Sequence, residues 1–429
     1  MRIAVLSLGS RGDVQPMVAL AEGLGRRGHD VRLVTHANFA GLAEGRGIEF
    51  RPVDSDFRAE LHGEDGQRML ASGRNPVAAF RAARAIAALR GREWWTQVRD
   101  LSTGVDVVVG ETTTFSLAAS LAERWGIPWI SAFLAPMAPT REFPSPILPP
   151  PAVRLTGWAN LLQHHVATQI IWQVFRRSTD DLRRDVLGLG RWPRTGPFAQ
   201  FGREGRPVLM AFSEHMIPRP RDWVARLEMT GYWFLERPLN WTPPADLVRF
   251  LEAGPAPVYV GFGSMGMADP EHTGTVVVDA IGKVGCRAVI AAGWAGLRAR
   301  LPGDDIFVVD ELPHDWLFPR VAAVVHHGGA GTTAAAARAG VPSVPVPFMV
   351  DQFFWAWRLK QLGLAPAAIP HRKLTAGALA AALRQALDDC EMRRRASELG
   401  AHIRAEDGVA RAVDTIERVA FERALKQPQ

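Results

Sequence analysis

An α/β protein built from two doubly wound halves is the fold class this sequence predicts. Apolar strand-like runs alternate with helical stretches from residue 3, and the alternation restarts near residue 258. Proline-rich segments without sustained period separate the two series. The 429 residues are enough for two domains, each with its own core.

Taken in order, Ile3 to Leu8 is apolar, Gly9-Ser10-Arg11-Gly12-Asp13 is a turn, Met17 to Leu24 recurs at helical spacing, and Val31 to Val34 is apolar again. That is a βαβ unit. Strands at Val105 to Val109 and Pro128 to Phe133 follow, around a helical Ser116 to Trp125. Five prolines between Pro144 and Pro151 predict a loop, and a long helical region bearing Trp158, Trp172 and Phe175 comes after it. Arg219 to Pro244 has no sustained period and reads as the interdomain connection. The second half opens with a strand at Val258 to Phe262, a helix at Glu271 to Val284 and a strand at Arg287 to Ala292. Strands at Ile306 to Val309, Val321 to Val325 and Ser343 to Val346 lead to helical segments after Thr375. Doubly wound sheets bind ligands beyond the carboxyl ends of their strands, so the cleft between the halves is the expected site.

Composition narrows the function. Fifty Lys+Arg against 44 Asp+Glu leave a net charge of +6, but only four of the basic residues are lysines. Arginines scattered along an Ala- and Gly-rich chain read as codon bias of a GC-rich genome, and no nucleic-acid partner is expected. The groups Arg81/Arg84/Arg90/Arg92 and Arg393/Arg394/Arg395 read as solvated helix faces. Cys286 and Cys390 are too few for a disulfide framework and are not spaced as a zinc site, which suits a reducing cytosol. No apolar run approaches the roughly 18–20 residues of a membrane span, and Arg11 and Asp13 come too early for a signal peptide. A cytoplasmic location is the expectation.

The strongest local signal is Val321 to Val325 running into His326-His327-Gly328-Gly329-Ala330-Gly331-Thr332-Thr333 and an Ala-rich stretch. Glycines let a phosphate approach the backbone, and a helix N-terminus offers free amides and about half a positive charge. Thr332 and Thr333 add hydroxyls, and the histidines can hydrogen-bond a leaving phosphate. The competing reading is a strand-to-helix turn that merely needs small residues. Gly261 to Gly266 and Gly329 to Ala334 also fit dinucleotide fingerprints, yet neither is followed by an acid at the end of the next strand, which disfavours NAD. Asp54-Ser55-Asp56 fits a metal-holding Asp-x-Asp, although a polar loop is the better reading, and His164-His165 lacks a third ligand nearby. Asp13 reads either as a helix N-cap or as a general base at the end of the first strand.

Several motifs in order resemble the GT-B glycosyltransferases of the UDP-glucuronosyl/glucosyltransferase family, above all its sterol glucosyltransferase-like and bacterial antibiotic branches. They are Gly9 to Pro16, Pro218 to Trp223 with Gly231-Tyr232-Trp233, Gly261 to Met265, Pro313 to Phe318, the His326 to Thr333 loop, Ala339 to Pro342 and Asp351-Gln352. The resemblance implies a GT-B fold, two Rossmann-like domains facing across a cleft. It implies an acceptor domain over 1–218, a connection over 219–244 and a nucleotide-sugar domain over 245–405. Residues 406–429 would form a C-terminal helix, with the first domain as its candidate packing partner.

The same resemblance implies inverting transfer of a hexose from a UDP-sugar, or a dTDP-sugar, to a hydroxyl of an apolar natural-product, sterol or lipid acceptor. Asp13 would be the general base. Ser10, Ser264, His314, His327, Gly329, Gly331, Thr332, Asp351 and Gln352 would bind the donor. Neither metal nor further cofactor is implied, and membrane contact would be peripheral if the acceptor is a lipid. The chain departs from the plant-type pattern at Glu311, His314 and Ala335, where a base platform, a glutamine and a ribose-binding acid are expected. A nucleotide-sugar epimerase or hydrolase on this fold, or a non-catalytic partner protein, are the alternatives.

Overall fold

The computed structural model describes residues 1–56, 59–60, 63–70, 72, 75–263, 269–292 and 305–426. In the first half, β1 (Arg2–Leu6), α1 (Arg11–Arg26), β2 (Asp30–His36) and β3 (Glu49–Val53) are followed by α2 (Pro76–Leu101), β4 (Val107–Glu111), α3 (Phe115–Trp125) and β5 (Trp129–Phe133). Helix α4 (Gly157–Leu187) precedes β6 (Val208–Met210) and β7 (Leu227–Met229). All seven strands are parallel, in the order β3-β2-β1-β4-β5-β6-β7. Strand β7 falls inside the stretch read from sequence as the connection. Three residues are too short to show a period, and only the pairing Val208 to Leu227 makes them a strand.

The second half contains β8 (Val258–Gly261), α5 (Pro270–Val284), β9 (Ala288–Ala291), β10 (Ile306–Val309), β11 (Ala323–His326), α6 (Ala330–Ala339), β12 (Ser343–Pro345), α7 (Gln352–Gln361), α8 (Ala376–Asp388), α9 (Cys390–Arg404) and α10 (Gly408–Lys426). Its sheet is also parallel, in the order β10-β9-β8-β11-β12. Strands covered by helices on both faces read as apolar runs, as β4, β8, β9 and β11 do apart from Glu111 and His326 at the carboxyl ends of β4 and β11.

Helix α10 returns to the first half, where Ala412, Val413 and Ile416 share a core with Ile3, Val5 and Leu20. Burying Val413 and Ile416 contributes about 1.5–3 kcal/mol each and outweighs the solvent-screened pairs of Arg27 with Asp414 and Glu417. A further core joins the halves: Met210, Phe212 and Trp223 pack with Ala334, Phe354 and Trp355. Arg358 of α7 donates to the Met216 carbonyl at 2.6 Å, and Arg237 pairs with Asp315 at 2.6 Å.

Candidate active site

Each sheet has one place where successive connections leave in opposite directions, and there a crevice opens beyond the strand ends. In the first sheet it lies between β1 and β4, in the second between β8 and β11. The two crevices meet, because Arg11 after β1 forms an ion pair with Glu311 of the second half.

On the first side, α1 starts at Arg11 with Ser10 as its N-cap, so Asp13 is the third helical residue and not the cap. Asp13 Oδ2 accepts bonds from Ser10 N and Ser10 Oγ, both at 2.8 Å. That is the reciprocal arm of a capping box, which orients the carboxyl while using one of its oxygens. The hydroxyl of Ser10 is thereby occupied by Asp13. Beside it stands a residue the sequence reading overlooked, Glu111, fully buried at the end of β4. Glu111 accepts from Ser7 Oγ at 3.3 Å, from Thr113 N at 2.7 Å and from the Thr113 hydroxyl. A carboxylate closing the apolar run Val107-Val-Val-Gly was its only signal.

Burial raises the Asp13 carboxyl above its ordinary value, and the Ser10 bonds offset part of this. Burial and then the Asp13 charge push Glu111 up to about 8. Asp351, across the cleft at the start of α7, is pushed up to about 7 by burial first and Asp13 second. Three carboxyl groups therefore share too little water to ionise together.

The folded-state value of Glu111 exceeds its unfolded value near 4.5, so its contribution is intact below that pH and is lost as pH rises through about 8. Glu111→Gln is expected to melt like wild type at pH 4 and to be the more stable protein at pH 9, the difference growing as pH rises between the two. Melting curves with equal pH dependence for both proteins would refute the assignment.

On the second side, β11 ends at His326 and α6 begins at Ala330 with Gly329 as a cap that has no side chain to offer its amides. Gly328 has φ +84°, and a Cβ there would lie 2.9 Å from the Gln352 carbonyl oxygen. A Cβ on Gly329 would lie 2.3 Å from His327 Nε2, so only glycine lets the imidazole lie over the helix start. His327 is held neutral by burial, which lowers its value to about 4. Its Nδ1, His326 Nε2 and Thr333 Oγ1 are buried without a hydrogen-bond partner among the described residues. Gly331 is exposed and Thr332 half-buried on the first turn of α6.

His314 stacks on Phe318 with ring centroids 4.2 Å apart, and burial, then Arg11 and His327, lower its value to about 3. Asp351 Oδ2 accepts from Trp355 Nε1 at 3.2 Å. Val350 before it has φ +46°, a costly backbone for a β-branched residue that aims this turn. The side-chain oxygen of Gln352 accepts from the Phe348 and Met349 amides at 2.8 and 3.2 Å, so it fastens the turn internally. Ser264 lies outside the described residues. Asp54-Ser55-Asp56 follows β3, where Ser55 Oγ sits 2.5 Å from His36 Nδ1. Among the described residues no three His, Cys, Asp or Glu side chains gather as a metal site would require.

Two doubly wound sheets with facing crevices, a carboxyl cluster on one side and a glycine-rich helix start with free amides on the other, are the architecture of the GT-B class of glycosyltransferase. The Glycosyltransferase family 28 N-terminal domain matches residues 3–144, and the Erythromycin biosynthesis protein CIII-like, C-terminal domain matches residues 275–418. Two sterol 3-beta-glucosyltransferases of Arabidopsis thaliana are 34% and 36% identical over 97% and 96% of this chain, which spans 68% and 64% of their lengths. A sterol 3-beta-glucosyltransferase of Cryptococcus neoformans is 34% identical over 97% of the chain, which spans 27% of it. The chain belongs to the glycosyltransferase family that includes these sterol 3-beta-glucosyltransferases. Solved structures share the fold. The spinosyn rhamnosyltransferase SpnG has a TM-score of 0.66 at 18% identity, covering 97% of this chain and all of its own. The kitacinnamycin glycosyltransferase has 0.65 at 22%, covering 97% and 98%.

Proposed function

We propose that this protein is an inverting, metal-independent hexosyltransferase that moves a sugar from a UDP-sugar, or in second place a dTDP-sugar, to a hydroxyl of an apolar acceptor. The observation that carries the reading is the meeting of the Asp13 cluster with the His327 loop across one cleft. The acceptor oxygen attacks C1 of the sugar from the Asp13 side, and the C1–oxygen bond to the diphosphate breaks with its electrons on the phosphate. The acceptor proton passes to Asp13, whose raised affinity for protons makes it a better base than an exposed carboxylate. Glu111, protonated near neutrality, leaves the negative charge on Asp13.

The free amides at the start of α6, the neutral His327 and Thr332 receive the charge of the leaving diphosphate, with Ser10, Gly329 and Gly331 at its edge, and Ser264 is assigned to the same task from the sequence alone. His314 faces the nucleoside. Asp351 binds sugar hydroxyls, and carries more of that task than Gln352, whose oxygen is already engaged. The relatives named as sterol 3-beta-glucosyltransferases make a sterol the first acceptor to try.

The test is nucleotide release from UDP- and dTDP-sugars, with mass spectrometry of products from sterol, macrolide and flavonoid pools. Sugar attached to an acceptor is the expected result. Free or epimerised sugar in place of a conjugate, or no turnover with any donor, would refute transfer. Excess chelator is expected to leave the rate unchanged, and a rate restored only by a divalent ion would overturn metal independence.

A further inference from the structure

Neither the Pro218 to Trp223 motif nor the loop with five prolines between Pro144 and Pro151 supplies a residue to the Asp13 cluster or the His327 loop. The structure joins these two stretches to each other. The loop leaves β5 beside the carboxyl cluster, because Ala132 of β5 lies in register with Glu111 of β4. It reaches the second half at Phe143, whose ring packs on Phe354 with 6.0 Å between centroids. Phe354 belongs to α7, the helix that Asp351 caps. One segment therefore runs from the Asp13 and Glu111 side of the cleft to the Asp351 side.

Proline supplies no amide donor and fixes its own φ, so a loop this rich in it gains little from backbone pairing. Side chains hold it instead. Asp222 accepts from the Thr140 hydroxyl at 2.7 Å with Oδ1 and from Arg141 N at 2.8 Å with Oδ2. In the opposite direction, Glu142 Oε1 accepts from Arg221 N at 2.9 Å. From α4, Asn160 donates to the Arg141 carbonyl at 3.0 Å and His164 Nε2 to the Phe143 carbonyl at 3.2 Å. Trp223, next to Asp222, meets the Phe143 ring edge-on with centroids 6.3 Å apart. Gly157 lets the start of α4 come close, since a Cβ there would lie 3.1 Å from Arg141 Cβ. Thr140, Asn160 and His164 are buried, so a partner removed from any of them leaves a polar group without water to replace it. Asp222 is the firmest of these holds, because one carboxylate takes two donors and its charge strengthens both bonds.

We propose that Asp222 is a positioning residue for the acceptor. By holding residues 140–143 it fixes the loop as one wall of the acceptor site and keeps Phe143 against the helix of Asp351. Given the transfer reading, on which this rests, an acceptor hydroxyl that meets Asp13 on one side and a sugar at Asp351 on the other lies along this segment. Leu134 and Met137 near the start of the segment and Leu148 further on are half-buried and apolar, which suits an acceptor without charge. Asp222 acts through the loop and takes no proton.

The experiment combines proteolysis and kinetics of the full chain. Arg141 is exposed, so trypsin reports on the loop without turnover. Asp222→Ala is expected to be cut between Arg141 and Glu142 at least about tenfold faster than wild type, the scale of lost charge-assisted bonds. Kinetics use the donor and acceptor that give a conjugate, UDP-glucose and cholesterol being the first pair. The acceptor KM of Asp222→Ala is expected to rise at least about tenfold while UDP affinity stays within about twofold of wild type. Asp222→Asn can still accept from Arg141 N and donate to Thr140 Oγ1, and is expected to restore the acceptor KM to within about threefold. Thr140→Val removes one of the two bonds to Asp222 at constant shape and is expected to raise cleavage and acceptor KM in the same direction, so it carries the test if Asp222→Ala does not fold. Equal cleavage in all variants, or faster cleavage with an unchanged acceptor KM, would overturn the positioning role while transfer by wild type stands. A wild type that conjugates no acceptor would refute the transfer reading, and this role with it.

Discussion

Asp13→Asn is expected to lower kcat about a thousandfold, the scale of a lost general base, while UDP binding measured by calorimetry stays within about twofold of wild type. Asparagine is the diagnostic replacement because its side-chain oxygen can still accept from Ser10 N and Oγ, so the capping box and the start of α1 survive. Alanine would mix chemistry with the roughly 1 kcal/mol of a lost cap. The variant has a second signature. Asp13 contributes to the elevation of both Glu111 and Asp351, so removing its charge lowers the pH at which each ionises. In wild type, kcat/KM is expected to fall on the acid side as Asp13 is protonated, at a pH above the ordinary carboxylate range because burial raises this group. Full activity in Asp13→Asn would remove the base assignment.

His327→Ala is expected to cost about a hundredfold in kcat/KM and to weaken UDP binding, the range found for removing one preorganised donor from a developing negative charge. The ring is neutral, so the loss is that of a hydrogen bond and not of a cation, and high salt is expected to leave the difference nearly intact. Gly329→Ala provides an independent route to the same defect, since the new Cβ would meet His327 Nε2 at 2.3 Å and displace the imidazole. Normal donor affinity and turnover in both variants would exclude His327 from the phosphate site.

Much of this site was legible because its signals are local. Strand, glycines and helix follow one another within His326 to Ala339, and a helix start free of side-chain caps is visible in the letters Gly-Gly-Ala-Gly. Asp13 was found for the same reason, although its place in the helix was one turn off the cap position expected. Glu111 was not found, because an acid ending an apolar run resembles any strand terminus. What gives it meaning is that β4 lies next to β1, a pairing of strands about a hundred residues apart. The two tryptophans of α4 make the same point: Trp172 is buried and donates to the Arg194 carbonyl at 2.8 Å, while Trp158 faces outward, and only the packing partners of the helix distinguish them.

The sequence by itself determined the two doubly wound halves and the glycine-rich start of α6, and singled out Asp13 as a candidate, since periodicity, turn chemistry and capping act over a few residues. Only the tertiary structure decided that both crevices meet at Arg11 and Glu311, and that Asp13, Glu111 and Asp351 compete for protons. Burial and Coulomb interaction depend on distance through space, and that distance exists only once the chain is folded.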